Sequence, residues 1–133
     1  MLERGTIQSS GFSNLGPAGA RTGFRLRLRQ PNYRGMRLSL IEGVDVVVDG
    51  EPYPAAGNRL LFQGQTYGLA DLDAATETRW AVGETIDVLI DRPGGLIPGV
   101  HRVETIVWMR HPYFPPRFWP VPMRDAREAT IVL

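Results

Sequence analysis

The side chains able to carry chemistry are few. The chain has 133 residues, two of them histidine (His101 and His111), and no cysteine, and its 15 basic residues are all arginine. Without Cys there is no thiolate nucleophile, thiolate metal site or disulfide. Without Lys there is no Schiff-base or P-loop lysine mechanism. His101 follows a Pro98-Gly99 turn and His111 lies beyond the far end of the same extended segment. At ~3.3 Å per residue their separation along a strand is roughly 33 Å, so they do not share one ion there. Asp45/Asp49 and Asp87/Asp91 are spaced at i, i+4. On a strand that is roughly 13 Å, too far for a glycosidase-type carboxylate pair; they read as solvated sheet positions balanced by Arg. Ser9, Ser10, Ser13 and Ser39 lie in no nucleophile elbow. Pro93-Gly94-Gly95-Leu96 ends a strand without opening a helix, so it reads as a turn and not as a phosphate cradle. A self-contained enzyme would have to rest on His111 with Glu104 or a neighbouring Asp, and has the least support.

Two features point to binding instead. Arg25, Arg27 and Arg29 alternate with Phe24, Leu26 and Leu28. Nucleic-acid recognition would want aromatics on that arginine face and a strongly basic chain. The formal net charge is only +1, so the stripe reads as a sheet face paired with Asp or Glu from a neighbour. The run from Trp108 to Arg124 holds five aromatics, five prolines and three arginines. Proline at that density fits neither helix nor central strand, so the run reads as a stiff extended loop. Trp, Tyr and Arg dominate binding hot spots, and a stiff loop loses little entropy on docking. The loop is read as a partner-facing arm or ligand lid, with folding back over an open end of the domain as the alternative.

The elements that must position this arm are strands. Period-two alternation marks 21–29, 43–49, 85–91 and 101–109 as half-buried strands. Asp49-Gly50 supplies the turn of a hairpin, and residues 130–133 close the chain with a short strand. Residues 6–10, 38–41 and 60–65 are weaker strand candidates, 69–75 is a helical turn, and 11–23 reads as a polar, glycine-rich loop. The 15 glycines and 11 prolines are hard to fit into long helices. Short strands at about 8–12-residue spacing predict one all-β domain over 1–133, an antiparallel, jelly-roll-like sandwich. No apolar run approaches the ~18 residues of a membrane span, and the start carries no export-type apolar core. The expectation is a cytoplasmic protein with no nucleic-acid or membrane partner.

The ordered set of local motifs resembles a known family. Pro31-Asn32-Tyr33-Arg34-Gly35-Met36-Arg37-Leu38-Ser39-Leu40-Ile41-Glu42, then Val46-Val47-Val48-Asp49-Gly50-Glu51, Arg79-Trp80, the Pro93–Leu96 turn with Gly99 and His101, and the Arg110–Pro115 region are similar to the small β subunit of bacterial C-glycoside deglycosidases. Where that family reads Arg-x-Ser-Tyr-x-Pro, this chain reads Arg110-His111-Pro112-Tyr113-Phe114-Pro115. The resemblance implies a β-sandwich that stabilises and shapes a separate TIM-barrel α subunit. That subunit would hold a divalent metal such as manganese and cleave the carbon–carbon bond of 3-oxo-C-glycosides, flavonoid C-glycosides among them, by elimination. The C3 ketone acidifies the C2 proton, and a metal-polarised ketone and a general base suit that step. It implies a lyase in which this chain is the non-catalytic subunit, inactive alone, with no cofactor or metal of its own. The residues expected at the partner interface or active-site rim are Tyr33, Arg34 and Gly35 from one loop, and Arg110, His111, Tyr113, Phe114 and Trp119 from the aromatic run. The alternative is a carbohydrate-binding sandwich module that stacks its aromatics on sugar faces.

Overall fold

Phe24, Leu26 and Leu28 are fully buried, while Arg25, Arg27 and Arg29 between them keep part of their surface in water. That alternation is the signature of a strand with one face on a core, and it recurs along the chain. The computed structural model describes residues 3–31 and 34–132. Its strands are β1 (Ser13–Leu15), β2 (Gly23–Arg29), β3 (Met36–Arg37), β4 (Ile41–Val48), β5 (Glu51–Tyr53), β6 (Asn58–Phe62) and β7 (Gln65–Tyr67). After the one α-helix among the described residues, α1 (Leu69–Ala74), come β8 (Arg79–Trp80), β9 (Thr85–Asp91), β10 (Gly99–Met109) and β11 (Val121–Ile131).

All pairings are antiparallel. A five-stranded sheet runs β1-β2-β9-β6-β7, a four-stranded sheet runs β11-β10-β4-β5, and β3 and β8 form a small separate ribbon. The inner faces meet in one core: Phe24, Leu26, Leu28, Ile86, Val88, Ile90, Leu60 and Phe62 from the first sheet against Val44, Val46, Val48, Val103, Val107 and Met109 from the second. The expected all-β sandwich is thus the observed architecture. Asn58 joins the layers: its buried side-chain amide donates to the Val44 carbonyl at 3.0 Å and the Tyr53 carbonyl at 2.9 Å. Among the described residues no helix is long and apolar enough to cross a membrane.

Turn chemistry fixes two hairpins. Asp49 and Gly50 both have positive φ between β4 and β5, as do Gln63 and Gly64 between β6 and β7, the geometry that matches strand twist in a two-residue hairpin. The expected acid partner is found for Arg25 and Arg27, which share it, and not for Arg29. Asp87, opposite Arg27 in the register, accepts from Arg27 Nε at 3.0 Å and lies 3.8 Å from Arg25; Arg29 donates to the Arg4 carbonyl.

Several local expectations are corrected. The glycine-rich 11–23 segment contains β1, which exists through its pairing with β2. Residues 6–10 make only one isolated bridge, Ile7 with Leu28, and 38–40 is a 3-10 turn. The proline-dense run leaves loop geometry at Val121, where the eleven-residue β11 begins, far earlier than Thr130. Pro122 is tolerated because β11 is an edge strand, whose outer N–H groups have no ladder partner to lose.

Candidate functional site

β10 and the 38–40 turn deliver the aromatic run to one end of the sandwich. The Arg110 N–H donates to the Leu40 carbonyl at 2.7 Å. Its guanidinium donates to the Ser39 carbonyl and reaches Asp73 Oδ1 at 3.3 Å and Glu42 Oε1 at 3.9 Å. Arg110 therefore ties the end of β10 to the start of β4 and to α1, and its side chain keeps 31% of its surface exposed.

His111 is buried at the root of the arm. Its Nδ1 accepts the Tyr113 N–H at 3.3 Å, and its ring packs 5.6 Å from the Tyr113 ring and 5.0 Å from that of Phe114. Its carbonyl accepts from the Trp119 indole N–H at 2.8 Å and the Phe114 N–H at 3.0 Å. Trp119, half-buried, thereby closes the arm back on its own root, and a single 3-10 turn at Pro116–Phe118 completes the loop. The outcome is a stiff arm whose outer face is aromatic. Tyr113 is 55% exposed, Phe114 45% and Phe118 55%. With Pro115, Val121 and Pro122 they border an open groove of about 510 Å³. Large apolar side chains so exposed and contiguous mark interaction surfaces.

The second expected loop meets this arm. Arg34 and Gly35 share a cleft of about 370 Å³ with Met36, Arg37, Leu40, Arg79, Pro112 and Tyr113. The Arg34 guanidinium stands 5.8 Å from the centroid of the Tyr113 ring, a cation–π distance. Tyr33 lies outside the described residues. The structure thus brings together Arg34, Gly35, Tyr113 and Phe114 at one rim, and uses His111, Arg110 and Trp119 to hold that rim. Sequence reasoning left Phe118, Arg37 and Arg79 out of the site. Phe118 stood in the aromatic run; Arg37 and Arg79 become neighbours only through the β3–β8 pairing.

The remaining chemistry-bearing groups are structural. His101 is 5% exposed, with Nδ1 2.6 Å from Asp49 Oδ2 and Nε2 2.7 Å from the Ile97 carbonyl. Burial, the largest single influence, pushes its pKa down. The Ile97 carbonyl and the Asp49 carboxylate together outweigh it, so the net direction is up. Asp49 is held below its ordinary value by the His101 hydrogen bond and then by the Arg102 N–H. Asp45 accepts from the Trp108 indole at 2.7 Å and the Ala55 N–H at 2.7 Å, and Asp91 pairs with Arg59 at 2.9 Å. Among the described residues no three His, Cys, Asp or Glu side chains come together in a set able to hold a metal ion. Among the described residues the geometry offers an exposed aromatic face beside an arginine-lined cleft.

Known proteins resemble the chain along most of its length. The family model described as C-glycoside deglycosidase beta subunit matches residues 2–113, ending at the root of the arm. The C-glycoside deglycosidase beta subunit of Eubacterium cellulosolvens is 30% identical over 116 residues, which cover 86% of this chain and 79% of that protein. The 3'-dehydrocarminate deglycosidase beta subunit of a Microbacterium species is 32% identical over 108 residues, 80% of each chain. The C-glycoside deglycosidase beta subunit of Arthrobacter globiformis is 35% identical over 117 residues, 84% of this chain and 86% of that one. With most of its length matched both by the family model and by these relatives, the chain belongs to the C-glycoside deglycosidase β-subunit family.

Proposed function

We propose that this chain is the non-catalytic small subunit of a two-component C-glycoside deglycosidase, and that it docks on a TIM-barrel α subunit through the aromatic face of its arm. The observation that carries this reading is the exposed Tyr113–Phe114–Phe118 surface, held on a proline-stiffened loop by His111 and Trp119. Its ordering entropy is largely lost already in the free chain, so docking loses little more. The reaction assigned to the complex is elimination from a 3-oxo-C-glycoside. A base takes the C2 proton, the electron pair forms the C1–C2 double bond, and the aromatic aglycone leaves from C1 with a proton. The proton-transfer groups and the divalent metal (manganese) are assigned to the α subunit. The described residues here bring no metal-holding set together, so no step runs through a metal on this chain. The contribution of this chain is to shape and stabilise the site from its rim.

Co-expression with the TIM-barrel α subunit, size-exclusion chromatography and a manganese-supplemented assay on a 3-oxo-C-glucoside test this. The expected result is co-elution, with aglycone release only when both chains are present. A chain that runs alone beside the partner, yet is retained on a sugar affinity column, would overturn it in favour of a carbohydrate-binding module.

A further inference from the structure

We infer that the cleft between the Arg34–Arg37 loop, β8 and the root of the arm is a binding site for an aromatic anion, a flat ring carrying a carboxylate or ionised phenol. Among the described residues six arginines form ion pairs with an acid. Arg25 and Arg27 have Asp87, Arg59 has Asp91, Arg92 has Glu51, Arg110 has Asp73 and Arg127 has Glu3. Arg37 and Arg79, which line the cleft, are not among them. Arg37 and Arg79 are direct cross-strand partners in the β3–β8 ribbon, so their side chains leave the same face. Like charges directly opposite each other destabilise a strand pair. Yet no carboxylate lines the cleft, and among the described residues neither guanidinium has a hydrogen bond or ion pair. The opposite face of the ribbon is ordinary core, with Met36 against Trp80, both buried. A local rule broken where packing does not demand it is where function is expected.

The walls specify the ligand. Two arginines on one face of the ribbon supply planar guanidinium donors that suit a carboxylate or phenolate. Arg79 lies close against the Gly35 backbone, where a Cβ would stand 3.4 Å from its Nη2. Tyr113, Pro112 and Leu40 give the cleft apolar lining. An inorganic anion would leave that apolar surface unused; an aromatic ring covers it and stacks on Tyr113. The volume of about 370 Å³ falls within the range of small-ligand clefts. This deepens the proposed function and rests on it for one identification: the anion is the acidic group of the aglycone, so the cleft selects acidic aglycones.

The test has two arms. In the first, the free full-length chain is titrated calorimetrically with 4-hydroxybenzoate, 4-hydroxybenzamide and inorganic phosphate. The benzoate should bind at least about tenfold tighter than either neutral amide or phosphate. Arg37→Gln and Arg79→Gln should each weaken it about tenfold while leaving Tm unchanged or raised, since each removes a like-charge repulsion. Equal binding of acid and amide, or no binding, overturns the inference; equal binding of phosphate overturns the aromatic part of it. In the second arm, the complex is assayed on a 3-oxo-C-glycoside whose aglycone carries a carboxylate and on its methyl ester. Arg79→Gln should raise KM for the acid about tenfold and leave the ester unchanged; an equal effect on both overturns the inference. Loss of partner binding by Arg79→Gln, with no benzoate binding by the unmodified chain, would make the cleft a dock for an acidic segment of the partner and overturn the ligand assignment. Benzoate binding without any co-elution would sink the subunit reading and leave the cleft standing.

Discussion

Phe118 separates docking from folding more cleanly than any other residue of the arm. It is 55% exposed, and among the described residues its ring meets only the Arg117 guanidinium as a cation–π neighbour, at 4.9 Å. A phenylalanine side chain offers about 200 Å² of surface, so docking can remove about 110 Å² of Phe118 from water. At about 25 cal/mol per Å² the upper bound is about 2.7 kcal/mol. Association does not return all of that area as affinity, so Phe118→Ala should weaken assembly by about 2 kcal/mol, roughly 30-fold in Kd. The assay is surface plasmon resonance of the full-length chain against the immobilised α subunit, with thermal unfolding of each variant alone as the folding control. The control should hold within about 1 °C, because truncating so exposed a ring opens no cavity in the core. Phe114→Ala should behave alike with a slightly smaller effect, being 45% exposed. An unchanged Kd for both variants, at unchanged Tm, would refute the argument that this face is the interface.

Three further outcomes follow from the geometry. Asn58→Ala removes the amide that bridges the two sheets through Val44 and Tyr53; a buried and a part-buried carbonyl lose their donor, and chemical denaturation should show a loss of about 2 kcal/mol. Because the His101 pKa is raised above 6.5 and that of Asp49 lowered below 3.8, their contact stabilises the fold between those two values. Its contribution is lost as pH rises through the raised histidine pKa, or falls through the lowered aspartate one. Denaturation of His101→Phe beside the unmodified chain should therefore show the widest gap between pH 3.8 and 6.5 and a shrinking one as pH rises above that window; a gap that widens with pH would contradict the assignment. Trp119→Phe keeps an aromatic side chain, though a smaller one, and removes the donor to the His111 carbonyl. Hydrogen exchange in 112–118 should then accelerate, and assembly weaken by about 1 kcal/mol, with global stability little changed.

What could be read from the sequence was what depends on neighbours along the chain. β2, β4, β9 and β10 announce themselves because each buries every second residue over one core, apolar throughout except for His101 and Thr105 in β10. The 69–75 helical turn appears as α1, with Asp71 accepting the Gly68 N–H at 2.9 Å. β1 carries no such pattern; Ser13-Asn14-Leu15 is a strand only because β2 offers it an edge. β11 was hidden by Pro122 and by its charges. Arg124, Asp125, Arg127 and Glu128 are what a solvent-exposed edge strand carries to discourage further pairing, and they resemble loop composition. The site was legible in the same way. Composition alone singled out the aromatic run, but its meeting with Arg34 and the opposition of Arg37 and Arg79 are long-range pairings with no local signal. Arg110 and His111 looked like contact residues by type; burial and hydrogen bonding show them holding the arm in place.

Tyr113 is where the two surfaces join, since it borders both the open aromatic groove and the arginine cleft. A partner seated on the groove would therefore wall the cleft on its open side, and ligand and partner would share one ring. That geometry orders the effects of three substitutions. Phe118→Ala touches only the groove and should weaken assembly while leaving 4-hydroxybenzoate binding by the free chain intact. Arg79→Gln touches only the cleft and should do the reverse. Tyr113→Ala should lower both, and by linkage the benzoate should strengthen partner binding in the unmodified chain but not in that variant. Partner affinity measured with and without the benzoate decides it. Equal affinity under both conditions in the unmodified chain would show that groove and cleft act independently and that Tyr113 couples nothing.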